Sequence, residues 1–165
     1  MGIRQAIFAG SWYPDNAAAC ERDIKQFLKE AKDKPASTRK YIGGIVPHAG
    51  WYFSGSIACN VIHCLADENP PDVIAIFGMH LSPDSPCYIM TKGAWETPFG
   101  NIEIENKLAE KLVEKFTFTI ETSENFIQDN TIELQLPFIK YFFDKVKIVP
   151  MGVPPLTSSL EIGRS

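Results

Sequence analysis

Long apolar runs, clustered basic residues and paired cysteines are all missing from this chain, and each absence excludes a class of function. The longest apolar stretch, Val73-Ile74-Ala75-Ile76-Phe77, falls far short of the roughly 20 residues that a membrane-spanning helix needs. The start, Met1-Gly2-Ile3-Arg4-Gln5-Ala6, lacks the charged segment and apolar core of a signal peptide. Ala6 also stands where a myristoylation signal wants Ser or Thr. The expectation is a soluble, cytoplasmic protein with no membrane partner. Net charge is −4, and Glu30 and Asp33 interrupt Lys25, Lys29, Lys32 and Lys34, so no nucleic-acid partner is expected.

The four cysteines, Cys20, Cys59, Cys64 and Cys87, contain no C-x-x-C pair, which leaves a disulfide framework without support. Cys59 and His63 lie four apart, a spacing that can bind metal. Cys59, Ile62 and Leu65 read better as one packed helix face. Ser11 and Ser54 sit in no G-x-S-x-G elbow. Gly43-Gly44 has neither the Lys-Ser/Thr of a phosphate loop nor G-x-G-x-x-G spacing.

What is present is ordinary globular composition, 45% hydrophobic and 22% charged over 165 residues, enough for one domain spanning 1–165. Helical spacing runs from Asp15 to Lys32, from about Ser56 to Leu65, from Asn106 to Lys115, and from Thr131 to Phe143 with a kink at Pro137. Strands are expected at Tyr41–Val46, Asp72–Phe77, Cys87–Thr91, around Ile102 and Ile104, at Phe116–Ile120 and at Val146–Met151. This alternation predicts an α/β fold with a mainly parallel sheet and helices on both faces. Ser158 and Glu161 have capping-box spacing, so a helix is expected to begin just before the last residues. The reading is a chain truncated at its C-terminus. Ile74, Ile76, Ile148 and Val149 would then be left uncovered and bury themselves in a homo-oligomer.

The residues able to carry chemistry gather after two predicted strands. His48, in Pro47-His48-Ala49-Gly50, follows the first, and His80, in Gly78-Met79-His80, follows the second. Both land on the edge where such sheets hold their sites. Two readings stay open: metal ligands within about 5 Å of each other, or capping and core histidines bonded to backbone. The aromatics Trp51 and Tyr52, with Trp12 and Tyr13, are expected to line a pocket. Asp129 and Glu133 can point into the same cleft, while Asn130 can equally cap the helix that begins near Thr131.

Six motifs in order carry a resemblance. They are Gly10-Ser11-Trp12-Tyr13-Pro14, Pro47-His48-Ala49-Gly50, Ser54-Gly55, Gly78-Met79-His80, Trp95-Glu96-Thr97-Pro98-Phe99-Gly100 and Thr131-Ile132-Glu133-Leu134-Gln135-Leu136-Pro137. The chain resembles, from about Ile3 to Pro155, the Memo family, also called AmmeMemoRadiSam system protein B. That family is similar to the catalytic subunit of class III extradiol dioxygenases, which implies a LigB-like fold. The resemblance implies His48 and His80 as ligands of one divalent metal, iron, copper or zinc, in a site that can also stand empty. It places the family's third ligand in a C-terminal half beyond this chain. Its general-base histidine falls at Asn130, whose amide cannot accept a substrate proton at neutral pH. The Gly-to-His spacing around His80 is also one residue tighter than the family pattern. The leading expectation is therefore a Memo-like protein with an incomplete metal site. The alternatives are a metal-dependent, dioxygenase-like oxidoreductase acting on a small molecule, and a non-enzymatic module holding a peptide or protein in its cleft.

Overall fold

The computed structural model of the chain describes residues 2–30, 41–66 and 70–165. In chain order the elements begin with β1 (Ile3–Arg4), α1 (Ala17–Glu30), α2 (Trp51–His63), β2 (Val73–Gly78), β3 (Tyr88–Met90), β4 (Ala94–Trp95) and β5 (Ile102–Glu103). They continue with α3 (Asn106–Lys115), β6 (Thr119–Glu121), α4 (Asn130–Glu133), α5 (Leu136–Phe142), β7 (Lys147–Gly152) and α6 (Ser159–Gly163). No helix among the described residues is long and apolar enough to cross a membrane.

The architecture is α/β, but its sheets are mixed rather than mainly parallel. A four-stranded sheet runs β2-β7-β3-β6 and a three-stranded one β1-β4-β5. β2 pairs with β7 in parallel, Ile74 facing Ile148 and Phe77 facing Met151. β3 returns antiparallel to β7, and β5 antiparallel to β4. The reason lies in connection length: no helix intervenes between β2 and β3 or between β4 and β5, and a link without a crossover helix favours reversal. An isolated bridge, Ile104 to Ile148, joins the two sheets.

Burial follows the apolar stripes. In α2 the inward positions Trp51, Ser54, Gly55, Ala58, Cys59 and Ile62 repeat at three and four residues, as an amphipathic helix requires. Cys59 thus packs the core, as its helix face suggested, and His63 lies beside the Phe142 ring. Gly55 is where α1 comes close, since a Cβ there would stand 2.8 Å from the Phe27 ring.

Several expectations are corrected. Tyr41–Val46 forms no strand. It has no ladder partner among the described residues, and Ile42 and Ile45 are 100% and 96% exposed. Its β-branched composition suits a strand, but a strand needs a neighbour to bond. The helix expected from Ser56 starts at Trp51, because Trp51 itself packs inward. The helix expected over Thr131–Phe143 divides into α4 and α5, with Pro137 in the first turn of α5, where its missing N–H costs no bond. α6 begins after Ser158, whose side chain makes no capping bond. Ile148 and Val149 are wholly buried, and Ile74 and Ile76 partly so. The bare apolar residues are instead Ile42, Ile45, Tyr52, Phe53, Ile57 and Phe77. The expected helical residues Ala31 and Lys32 lie outside the described residues.

The sheets are tied to the loop before α4 by one buried ion pair. Arg4 donates to Glu121 Oε2 at 2.8 Å and to the Ile127 carbonyl at 3.0 Å, while Glu121 Oε1 accepts from the Ile127 N–H. The guanidinium lies between the Trp95 and Phe126 rings, 3.8 and 3.9 Å from their centroids. Arg4→Met would leave Glu121 buried without its cation. Urea denaturation is expected to show a loss of about 3–5 kcal/mol. A loss near zero would show that water reaches the pair.

Candidate functional site

His80 stands two residues beyond β2 on a backbone turn that other residues hold closed. Gly78 opens the turn because a Cβ there would meet Thr131 Oγ1 at 2.6 Å and Ile132 Cγ1 at 2.8 Å. Met79 then adopts φ 77°, a left-handed conformation that costs a non-glycine residue on the order of 1–3 kcal/mol. Two bonds oppose that strain. The Met79 N–H donates to Thr131 Oγ1 at 2.6 Å, and the His80 N–H to Asp129 Oδ2 at 2.8 Å. The same Oδ2 lies 2.8 Å from His80 Nδ1.

Asp129, not Asn130, caps α4. Its backbone is extended, at φ −147° and ψ 137°, and Oδ1 accepts from Thr131 N at 2.8 Å and Thr131 Oγ1 at 2.5 Å. Burial by itself would raise this carboxyl, but the bonds from Thr131 and His80 outweigh it and hold it below the ordinary value. Asn130 is the first residue of α4, and its amide donates to the His48 carbonyl at 2.6 Å.

His48 is held from the same segment. Gln135 Nε2 donates to the Pro47 carbonyl at 3.1 Å, and Trp51 Nε1 to the Leu134 carbonyl at 3.0 Å. Trp51 stacks on Phe138 at 4.1 Å, and its backbone N–H donates to the Trp12 carbonyl at 2.9 Å. These contacts bring His48 Nε2 to 3.1 Å from His80 Nε2, inside the distance that a shared ligand requires. The pair opens on a cavity of about 590 Å³ walled by Trp12, Tyr52 and Phe53. On its other side His80 borders a shallow groove of about 1130 Å³ lined by Phe77, Leu156 and Leu160.

Of the residues expected at the site, His48, His80, Trp12, Tyr52 and Asn130 meet at the cavity. Asp129 stands behind His80 rather than in the open cleft. Trp51, Tyr13 and Glu133 are corrected: all three are buried and face the core, because α2 turns Trp51 inward and Glu133 lies on the inner side of α4. Phe53, the last of three consecutive aromatics able to line a pocket, lines the cavity, whereas Thr131 carries no site signal in the sequence beyond its place two residues from Asp129. Among the described residues, no group of three or more His, Cys, Asp or Glu is placed to hold a metal. His48 and His80 supply two donors.

Glu133 is 1% exposed and accepts from Phe8 N at 2.7 Å and Tyr13 Oη at 3.0 Å, tying the N-terminal loop to α4. Burial raises its carboxyl above the ordinary value, against bonds from Phe8 and Tyr13 and the charge of Arg4. A raised folded-state value means that the fold holds a proton the unfolded chain has lost. Stability therefore falls as pH rises from the unfolded value to the folded one. Glu133→Gln keeps an acceptor and has no proton to lose. Its stability advantage over the parent is expected to grow as pH rises through that window and then level off, measured by urea midpoints. Glu133→Ala is expected to lose roughly 1–3 kcal/mol for each donor left unpaired. A parent-to-Gln difference independent of pH would show an ordinary, unshifted Glu133.

With this geometry in place, comparison with known proteins is informative. The Memo-like protein family profile matches residues 4–163. A MEMO1 family protein of Pyrobaculum arsenaticum is 34% identical over 173 residues, covering 100% of this chain and 62% of that protein. One from Sulfurisphaera tokodaii is 38% identical over 177 residues, covering 99% of this chain and 62% of its own length. Another, from Pyrococcus furiosus, is 34% identical over 170 residues, covering 99% and 58%. The chain thus spans about three fifths of the length of these relatives. A profile matched from one end of the chain to the other, with relatives above 30% identity, means that this chain belongs to the Memo-like family.

Proposed function

We propose that this chain binds one divalent transition metal through Nε2 of His48 and Nε2 of His80. The observation that supports this reading is their 3.1 Å separation, with the His80 ring held from behind by Asp129 and the His48 backbone held by Asn130. Two imidazole nitrogens on one tetrahedral metal, at bonds of about 2.0–2.1 Å, stand roughly 3.3 Å apart, so only a small adjustment is needed. A catalytic site of this kind ordinarily takes three protein ligands. Here two positions are filled by histidine and the others are open to water, to a ligand, or to a donor outside the described residues.

A metal held there would act as a Lewis acid or redox centre on a donor atom reaching it from the cavity. The aromatic walls favour a ligand with an apolar, planar body, which suits the oxidoreductase reading on a small molecule. The position of the family's base does not serve proton abstraction, because the Asn130 amide is committed to the His48 carbonyl. The mixed α/β architecture, with a histidine beyond the end of β2, is compatible with a LigB-like fold. The free cysteines Cys20, Cys59, Cys64 and Cys87 suit the reducing cytoplasm.

Elemental analysis of the purified protein, followed by zinc titration of the chelated form, tests the metal. About one equivalent is expected, with affinity lowered at least about tenfold by His48→Ala and by His80→Ala. No bound metal and no heat on titration would overturn the reading. Peptide binding by such a metal-free protein would leave the binding module in its place.

A second reading rests on exposed apolar side chains. Ile42, Ile45, Tyr52, Phe53, Ile57 and Phe77 favour association, and light scattering is expected to find a species heavier than one chain. Ile45→Lys with Phe53→Lys is expected to return the monomer. A parent chain that is itself a stable monomer would overturn this.

A further inference from the structure

We propose that Asp129 is a positioning residue of the histidine pair: its carboxylate locks His80 with the ring proton on Nδ1. The Nε2 lone pair then faces His48. The observation is a complete match of donors and acceptors. Asp129 has two carboxylate oxygens, and each takes two donors: Thr131 N and Oγ1 on Oδ1, His80 N and Nδ1 on Oδ2. An ionised carboxylate has no proton to give, so the nitrogen 2.8 Å from Oδ2 must carry one. His80 Nε2 is therefore an acceptor whenever the ring is neutral.

The consequence passes to His48. Its Nε2, at 3.1 Å from an acceptor, carries its proton in the metal-free protein and donates it to His80. The two rings thus hold opposite tautomers: Nδ1–H in His80 and Nε2–H in His48. Binding of a metal between them requires His48 to lose the Nε2 proton to solvent and take one on Nδ1. There is no net proton release. His80 needs no such change, because Asp129 has already placed it in the form a metal ligand needs.

Asp129 cannot be read as a helix cap alone. A cap uses one side-chain oxygen, as Oδ1 does here. The second oxygen is turned toward both the backbone and the ring of His80, across 49 residues of sequence. It also closes the turn that keeps Met79 left-handed. The side chain therefore fixes the path of the backbone and the orientation of the ring together.

The metal part of this inference rests on the preceding proposal, whereas the tautomers do not. The test is a long-range nitrogen–proton correlation spectrum of metal-free protein with ¹⁵N-labelled histidine, assigned with His48→Gln and His80→Gln. The expected parent spectrum shows His80 protonated on Nδ1 and His48 on Nε2. Asp129→Ser keeps a capping oxygen but cannot reach the ring, so His80 is expected to populate both tautomers. Asp129→Asn presents an amide that cannot accept at both oxygen positions, and is expected to shift His80 toward Nε2–H. Zinc affinity should fall about 10–100-fold in Asp129→Ser. A parent His80 protonated on Nε2, or an Asp129→Ser spectrum identical to the parent, would overturn the assignment. If neither variant folds, the parent spectrum alone decides. If the parent tautomers are as stated but zinc does not bind, the metal proposal fails and the positioning role stands.

Discussion

The site depends on one short segment, Asp129 to Gln135, which gathers three loops distant in sequence. Asp129 and Thr131 hold the turn carrying His80, Asn130 and Gln135 hold the carbonyls on either side of the His48 N–H, and Glu133 holds the N-terminal loop. Leu134 adds its carbonyl to Trp51. The side chains of Ile132, Leu134 and Leu136 anchor the segment in the core. A polar residue in this stretch is thus a connector first. This explains why buried polar groups are concentrated here, since each is stable only with its partners in place.

The same economy of space fixes what the site can do. Asn130 borders the cavity, and its amide supports the His48 loop. Among the described residues that line the cavity, the two imidazoles are the strong metal donors, and Trp12, Tyr52 and Phe53 supply most of the apolar wall. The strain at Met79 fits this picture, because a left-handed residue is maintained only where neighbours over-determine it.

Much of the core was legible in the linear pattern. The apolar runs at β2 and β7 and the helical spacing of α1 and α3 each encode an element that the structure contains. What misled was composition without context. Ile42 and Ile45 have the residue types of a buried strand but stand in the open. Trp51 and Tyr52 are adjacent aromatics of similar character, yet helix geometry turns one inward onto Phe138 and leaves the other 93% exposed. Asn130 and Asp129 are both good caps, and no sequence rule chose between them.

The sequence by itself determined the α/β class, the placement of His80 just past the apolar strand β2 and the grouping of motifs that marks the family. These follow from local periodicity and from residue types that only a few conformations tolerate. Tertiary structure alone decided that His48 Nε2 meets His80 Nε2, that Asp129 stands behind the ring, and that Glu133 faces the core. It also decided the direction of strand pairing. The three side-chain contacts join residues 32 to 125 positions apart, whose distances no local spacing can fix.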